Sequence, residues 1–213
     1  MCKNTVIMNK EINAYGLTGN MGCGKSTVGE FLKGHNDVSV LDCDQISKNI
    51  LFSDENRQSI KTILGESIIK DGHVDSKEIS KIIFNDSTKK QELENFVHPL
   101  VWQEVQKQVQ NGDKNTIFIV ESAIIYETKS EEIFKGVIVA TCDEKEQFNR
   151  IKKRNNWSEE QIEERLKNQL KNSDKEKKGL VVINTNCSIQ ELESKVERLY
   201  SFVKNNESGR LVL

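Results

Sequence analysis

The stretch GLTGNMGCGKSTVGEFL, Gly16 to Leu32, decides how the rest of the chain is read. Gly16, Gly19, Gly22 and Gly24 crowd its first half, and Lys25 and Ser26 follow at once. An apolar run, INAYGL (Ile12–Leu17), leads into it as a predicted strand, and a predicted helix opens out of it. Glycines let a backbone turn so that consecutive N–H groups point inward around an anion. A helix starting directly behind such a turn adds its dipole and its unpaired first-turn donors. Gly19-x-x-x-x-Gly24-Lys25-Ser26 is a full Walker A pattern. In that pattern the lysine reaches the β- and γ-phosphates of a triphosphate and the hydroxyl is offered to Mg²⁺. The plainer reading, a glycine-rich turn beside a surface lysine, does not explain a complete motif set between strand and helix.

Composition narrows the setting. With 213 residues, 36% of them hydrophobic, the chain has material for one compact domain carrying inserted helices. A formal charge of -2 lacks the basic excess of a dedicated nucleic-acid binder. No apolar run approaches the roughly 18 residues of a membrane span, and MCKNTVIMNKEINAY has no signal-peptide core. Cys2, Cys23, Cys43, Cys142 and Cys187 are scattered, without a Cys-x-x-Cys pair, so neither a disulfide framework nor a zinc site is indicated. A cytoplasmic protein with free thiols is expected, with no obligate protein partner evident.

Four further apolar runs follow the first: VSVLD (Val38–Asp42), TIFIV (Thr116–Val120), GVIVA (Gly136–Ala140) and LVVIN (Leu180–Asn184). All are mostly non-alternating and rich in β-branched residues, as in strands buried on both faces of a parallel sheet. Helix starts are readable at Asp75/Glu78, Ser158/Gln161 and Ser188/Glu191, each spaced as a capping box. Alternation of strand and helix predicts an α/β fold with a five-stranded parallel sheet flanked by helices. Two connections, one helical and one highly charged, are too long for simple crossovers. We expect a single P-loop domain of residues 1–213. Its core is about 12–44, 112–142 and 179–205, with a helical insert at about 45–111 and a lid at about 143–178.

The segments beyond the loop carry a family resemblance. LDCDQISKNIL resembles the Asp-x-Asp segment of dephospho-CoA kinases, and LENFVHPLVWQEV (Leu93–Val105) is similar to their His-Pro segment. IVESAIIYE (Ile119–Glu127) resembles their third strand and the acidic position after it. In EQFNRIKKRNNWSEEQIEERLKNQ (Glu146–Gln169), Gln147, Arg150, Arg154, Arg165 and Gln169 keep the family's lid spacing. The resemblance runs from about Ile12 to Tyr200. It implies transfer of the ATP γ-phosphate to the 3′-hydroxyl of dephospho-CoA, the last step of CoA synthesis, with ATP and dephospho-CoA as substrates and Mg²⁺ as cofactor. No Asn/Thr-Lys-x-Asp guanine-reading loop is present. The rival readings are another small-molecule or nucleoside monophosphate kinase on the same scaffold, and a nucleotide-dependent switch.

The resemblance assigns Asp44 as the carboxylate facing the acceptor hydroxyl, with Lys25 and Arg150 completing the catalytic set. ATP would be held by Gly19, Asn20, Met21, Gly22, Cys23, Gly24, Lys25, Ser26 and Thr27, and by Arg150 and Arg154 from the lid. The acceptor would meet Asp42, Asp44, His98 and Glu127, and Mg²⁺ would meet Ser26 and also Glu121. Alternation along an extended chain would put Asp42 and Asp44 on one side, although either could instead cap the next helix. Arg150 and Arg154, four apart, share a helix face. The chain departs from the family at Ala123, where proline is common, at Asn184-Thr185 in place of Asp-Asn, at Cys187 in place of glycine, and at Cys23, where a small hydroxyl residue is common. A thiol at a helix N-terminus has a lowered pKa, which predicts sensitivity of Cys23 to oxidation.

Overall fold

The computed structural model describes residues 12–70, 72–155 and 157–213; Cys2 and the rest of the segment before Ile12 lie outside them. In chain order the elements are β1 (Ile12–Thr18), α1 (Lys25–Leu32), β2 (Val38–Asp42), α2 (Cys43–Phe52), α3 (Arg57–Leu64), β3 (Ile69–Lys70), β4 (His73–Val74), α4 (Ser76–Asn85) and α5 (Ser87–Asn111). They continue as β5 (Ile117–Glu121), β6 (Phe134–Thr141), α6 (Glu144–Asn155), α7 (Glu159–Leu166), α8 (Asn172–Lys178), β7 (Val181–Asn184), α9 (Ile189–Lys204) and β8 (Leu211–Val212). They form two compact units, residues 42–110 and residues 12–41 with 111–213. No helix among the described residues is long and apolar enough to cross a membrane.

The larger unit is built on a sheet of order β2-β5-β1-β6-β7-β8. All five β-branched runs are strands of it. β1 lies between β5 and β6, parallel to both, and all its residues but Asn13 are buried, which is why its pattern does not alternate. Its core includes Leu17, Val28, Leu32, Ile119, Ile138, Ile183 and Leu199, all fully buried. Each such side chain contributes about 2 kcal/mol of burial free energy. Ser188 caps α9 by accepting the Glu191 N–H, and Ser158 with Gln161 closes a complete capping box on α7. The sheet has six strands, not the expected five. The sixth, β8, is only two residues long, too short to show periodicity. Backbone bonding makes it a strand: Leu211 N–H donates to Leu180 C=O at 3.0 Å and Leu213 N–H to Val182 C=O at 2.8 Å.

The 42–110 unit holds α2, α3, the β3–β4 hairpin, α4 and nearly all of α5. Asp75 caps α4, accepting from the amides of Lys77 and Glu78, and Lys70 pairs with its other oxygen at 2.6 Å. α5 carries Pro99 in its interior, where the ring removes one helical hydrogen bond. Beside it, burial holds the His98 imidazole below its ordinary value of 6.5, against the opposing charge of Glu94. The unfolded chain therefore takes up the His98 proton at a higher pH than the folded one. Stability should fall as pH drops through 6.5 toward the lowered folded value. His98→Gln should flatten that part of the stability–pH curve, measured by urea unfolding from about pH 7 to about pH 5. Identical slopes for the two proteins would refute the assignment.

Candidate active site

α1 begins at Lys25, so its first amides have no carbonyl one turn back to accept them. The loop in front of it is closed by Cys23 N–H, which donates to Asn20 C=O at 3.0 Å. Gly22 has φ +84°, and a Cβ there would stand 2.8 Å from Ile151 Cγ1. Only glycine lets the loop pass against α6 in that conformation. Several side chains and carbonyls outside the loop prop it. Asn20 Nδ2 donates to Leu170 C=O at 2.7 Å, Met21 N–H to Gln169 Oε1 at 3.1 Å, and Gln147 Nε2 to Met21 C=O at 2.8 Å. Thr185, which is buried, lies with Oγ1 3.1 Å from Cys23 C=O.

Glu121 ends β5 beside Leu17 of β1 and is buried. Its Oε1 accepts from Lys25 Nζ at 2.6 Å and from Ser26 Oγ at 2.8 Å. A Cβ on Gly29 would lie 2.9 Å from Glu121 Oε2, so the missing side chain lets α1 settle against the acid. Arg150 comes from α6. Its Nε donates to Glu146 Oε1 at 2.8 Å, Nη1 to Thr185 Oγ1 at 2.9 Å and Nη2 to Thr185 C=O at 2.8 Å. Arg150 and Glu146 also line an open cleft of about 360 Å³ with Asp143, Asn186 and Cys187. Among its lining residues the Asn186 amide donates to the Asp143 carboxylate.

A second buried ion pair lies in the same unit. Lys175 of α8 is fully buried; its Nζ donates to Ala123 C=O at 2.7 Å and meets Glu127 Oε1 at 2.8 Å. Burial pushes the Lys175 pKa down, and Glu127 opposes the shift. The same Glu127 oxygen accepts Leu170 N–H at 2.9 Å, and Leu170 C=O receives Asn20. An unbroken chain of bonds thus runs from the turn after β5, through Lys175 and Glu127, to the tip of the glycine loop.

A family model described as dephospho-CoA kinase matches residues 14–191 of this chain. The chain belongs to the dephospho-CoA kinase family. A dephospho-CoA kinase of Lactobacillus acidophilus is 32% identical, over 91% of this chain and 97% of its own. That of Bdellovibrio bacteriovorus is 31% identical, over 89% and 95%. The structure of a dephospho-CoA kinase from Campylobacter jejuni is 29% identical, covers 90% of this chain and 97% of its own, and superimposes with a TM-score of 0.63. A Thermus thermophilus crystal structure, 23% identical, shares the fold with a TM-score of 0.78 over 90% of this chain and 97% of its own. As a member of this family the chain is a phosphotransferase of CoA biosynthesis, with ATP as phosphoryl donor.

The structure brings Lys25, Ser26 and Glu121 together, and sets Arg150 across Thr185 from Cys23. It does not bring Arg154 to the loop. Arg154 is exposed, its Nε on Asn155 Oδ1 at 2.9 Å. Arg165 stacks over Trp157, 4.2 Å from the ring centroid. Glu127 is engaged by the protein's own Lys175 and Leu170. Asp42, Asp44 and His98 belong to the 42–110 unit. There Asp42 is the cap of α2, its Oδ1 accepting from Asp44 N–H at 2.8 Å and Gln45 N–H at 3.3 Å. The expected strand alternation of Asp42 and Asp44 fails because the helix has already begun at Cys43. Asp44 stands exposed in its first turn.

Sequence reasoning missed Lys175. It is one of four lysines in KNSDKEKK (Lys171–Lys178), and nothing in that run marks it as the buried one. Lys175→Met would leave the largely buried Glu127 carboxylate without its cation, which costs about 3–5 kcal/mol in such pairs. Adding Glu127→Gln should return part of the loss, because it removes the uncompensated charge. Urea unfolding of the two single variants and the double variant checks this. A double variant no more stable than Lys175→Met alone would contradict it.

Proposed function

We propose that this chain phosphorylates the 3′-hydroxyl of dephospho-CoA in the cytoplasm. Asp44 acts as the acceptor-side base, and Lys25, Ser26, Glu121 and Arg150 act on the phosphate side. The observation that carries this reading is the convergence of the Lys25 ammonium and the Ser26 hydroxyl on one buried carboxylate oxygen. It lies at the carboxyl edge of parallel strands, where ligands of α/β sheets bind. Phosphoryl transfer needs charge stabilisation, in-line positioning and one group for the attacking hydroxyl proton, and little else.

The Ser26 hydroxyl and the Glu121 carboxylate are 2.8 Å apart, an all-oxygen pair that fits Mg²⁺. No cluster of three or more His, Cys, Asp or Glu side chains suits a metal among the described residues. An ion of this kind is commonly held by one or two protein oxygens, phosphates and water. When bound, Mg²⁺ neutralises charge building on the phosphate oxygens. The chain's own contribution is then specific. The loop Gly19–Thr27 offers the phosphates its amides other than those of Met21 and Cys23, which are already bonded, and Lys25 exchanges its hydrogen bond to Glu121 for one to the β- and γ-phosphates. Arg150 adds a fixed charge beside Thr185, and we assign the adenine to the cleft that Arg150 lines with Asp143, Asn186 and Cys187. Asp44 accepts the proton as the ribose oxygen bonds to the γ-phosphorus and the bond to ADP breaks. Asp42 fixes Asp44 by capping α2, and His98 belongs to the acceptor pocket. Glu127, assigned to acceptor contact by the resemblance, acts through the loop tip. Arg154 closes onto ATP only with movement of α6.

The domain reading follows the same logic: one kinase domain with its core at about 12–44, 112–142 and 179–205. The compactness of residues 42–110 supports an acceptor-binding insert at about 45–111. The charge of α6–α8 and the contacts of Arg150 support a lid at about 143–178. An ADP-release assay with MgATP and dephospho-CoA tests the function. Asp44→Asn should lower the acceptor-dependent rate by about 10² or more while ATP affinity is unchanged. No stimulation by dephospho-CoA in the wild type, or stimulation only by another hydroxyl acceptor, would overturn the substrate assignment.

A further inference from the structure

Cys23 and Cys142 meet where the glycine loop lies against the end of β6. Their sulfurs are 3.3 Å apart, closer than ordinary van der Waals contact, and the two residues are 0% and 6% exposed. Neither thiol has a part in the phosphoryl-transfer scheme. Both are free, and their surroundings treat them unequally. Cys23 Sγ receives the Asn172 side-chain amide at 3.3 Å and faces Cys142. Hydrogen bonding from Cys142 is the main influence lowering the Cys23 pKa; Asn172 and the Arg150 charge add to it, and burial opposes it. Cys142 is pushed the other way, chiefly by the same bond and by burial. Of the two, Cys23 is the sulfur whose thiolate the surroundings favour and Cys142 the one whose proton they retain, the division of labour of an attacking and a resolving thiol.

We propose that Cys23 and Cys142 are a peroxide-modification site, forming a reversible disulfide that disables the phosphate loop. Hydrogen peroxide, little larger than water, is the oxidant that so enclosed a pair admits. Cys23 thiolate attacks one peroxide oxygen, the O–O bond breaks, and Cys23 sulfenic acid and hydroxide result. Cys142 thiol then attacks the Cys23 sulfur; the S–O bond breaks, the S–S bond forms, and water leaves with the Cys142 proton. The two thiols lose two electrons in total, and peroxide gains them.

Closing the pair requires the sulfurs to approach from 3.3 Å to about 2.05 Å, the length of a disulfide. The motion falls on a short loop that is in contact with its neighbours on other sides. Gly22 is against Ile151, and Cys23 C=O lies on Thr185 Oγ1, which also receives Arg150. Cys142 adds a weak bond to Gly22 C=O at 3.8 Å, so it already touches two residues of the loop. Pulling Cys23 toward β6 turns the adjoining amides away from where the phosphates would lie. Thiol-specific reductant reverses it.

Treating the full-length protein with hydrogen peroxide, then alkylating and digesting it under denaturing conditions, tests the site. Binding of a fluorescent ATP analogue is followed in the same samples, so the readout does not depend on the acceptor assignment. We expect one intramolecular linked peptide pair, 23 with 142, and ATP-analogue affinity lowered about tenfold or more, both restored by dithiothreitol. In Cys142→Ala no linked pair forms, and dithiothreitol returns little of whatever binding peroxide removes. Absence of the 23–142 pair in the wild type, an affinity unchanged when the pair is present, or an equal dithiothreitol-reversible loss in Cys142→Ala would each overturn the proposal.

Discussion

A buried carboxylate at the end of β5 is the constraint that orders the centre of this molecule. Glu121 has little water to solvate it, and its Oε1 is satisfied by Lys25 and Ser26 together. An ionised group in that position is costly unless paired and hydrogen-bonded. Pairing it requires β5 to stop in register with Leu17 of β1, and α1 to begin immediately above. Gly29 must lack a side chain so that the helix reaches the acid. Strand register, helix start and glycine choice are thus tied to one charge. The arrangement also stores the lysine beside the place where a phosphate would need it.

The glycine loop is not a free-standing structure. It is held at the Asn20 side chain, at the Met21 amide and carbonyl and at the Cys23 carbonyl, by Leu170, Gln169, Gln147 and Thr185. Neutral bonds of this kind contribute about 1 kcal/mol each, and those to a charged partner about 1.5–3 kcal/mol. The support therefore comes from α6 and from the segments leading into α8 and α9. Lys175 extends it inward through Glu127 to Leu170. Movement of the charged segment that carries Arg150 and Gln169 would reach the loop directly, since the same residues shape both. For a loop that binds phosphate as proposed, pre-organisation of this kind removes an ordering cost from nucleotide binding.

Much of this was legible in the sequence, and the physical reason is burial. The five β-branched runs became five strands because a strand covered on both faces must be apolar throughout, and that is a local, readable property. The caps at Ser158 and Ser188 were legible for a similar reason, each being satisfied by atoms within a few residues, and the Walker A motif because its residues are contiguous in the chain. Where partners are distant in sequence, legibility stopped. β8 is defined by backbone bonds to Leu180 and Val182, not by its own pattern. Lys175 is distinguished from its neighbours by Ala123 and Glu127, about fifty residues earlier. The pairing of Cys23 with Cys142 spans 119 positions and has no spacing motif.

Arg150 and Arg154 show the same limit within one helix. Four residues apart, they share an angular face, and the sequence treats them as equivalent. The structure does not. Arg150 has Glu146 one turn before it and the Thr185 carbonyl and hydroxyl beyond it, so all three of its donor nitrogens are occupied. Arg154 lies one turn further along the helix, exposed, with its Nε on the side chain of its neighbour Asn155. A guanidinium already fixed in place loses little freedom when an anion arrives, whereas an exposed one must surrender about 2 kcal/mol of rotamer entropy. Helical spacing fixes direction around the axis, but depth along it is set by what the helix packs against. For that reason Arg150 is already placed for the role proposed for it, and Arg154 would reach the proposed nucleotide only if α6 changed position.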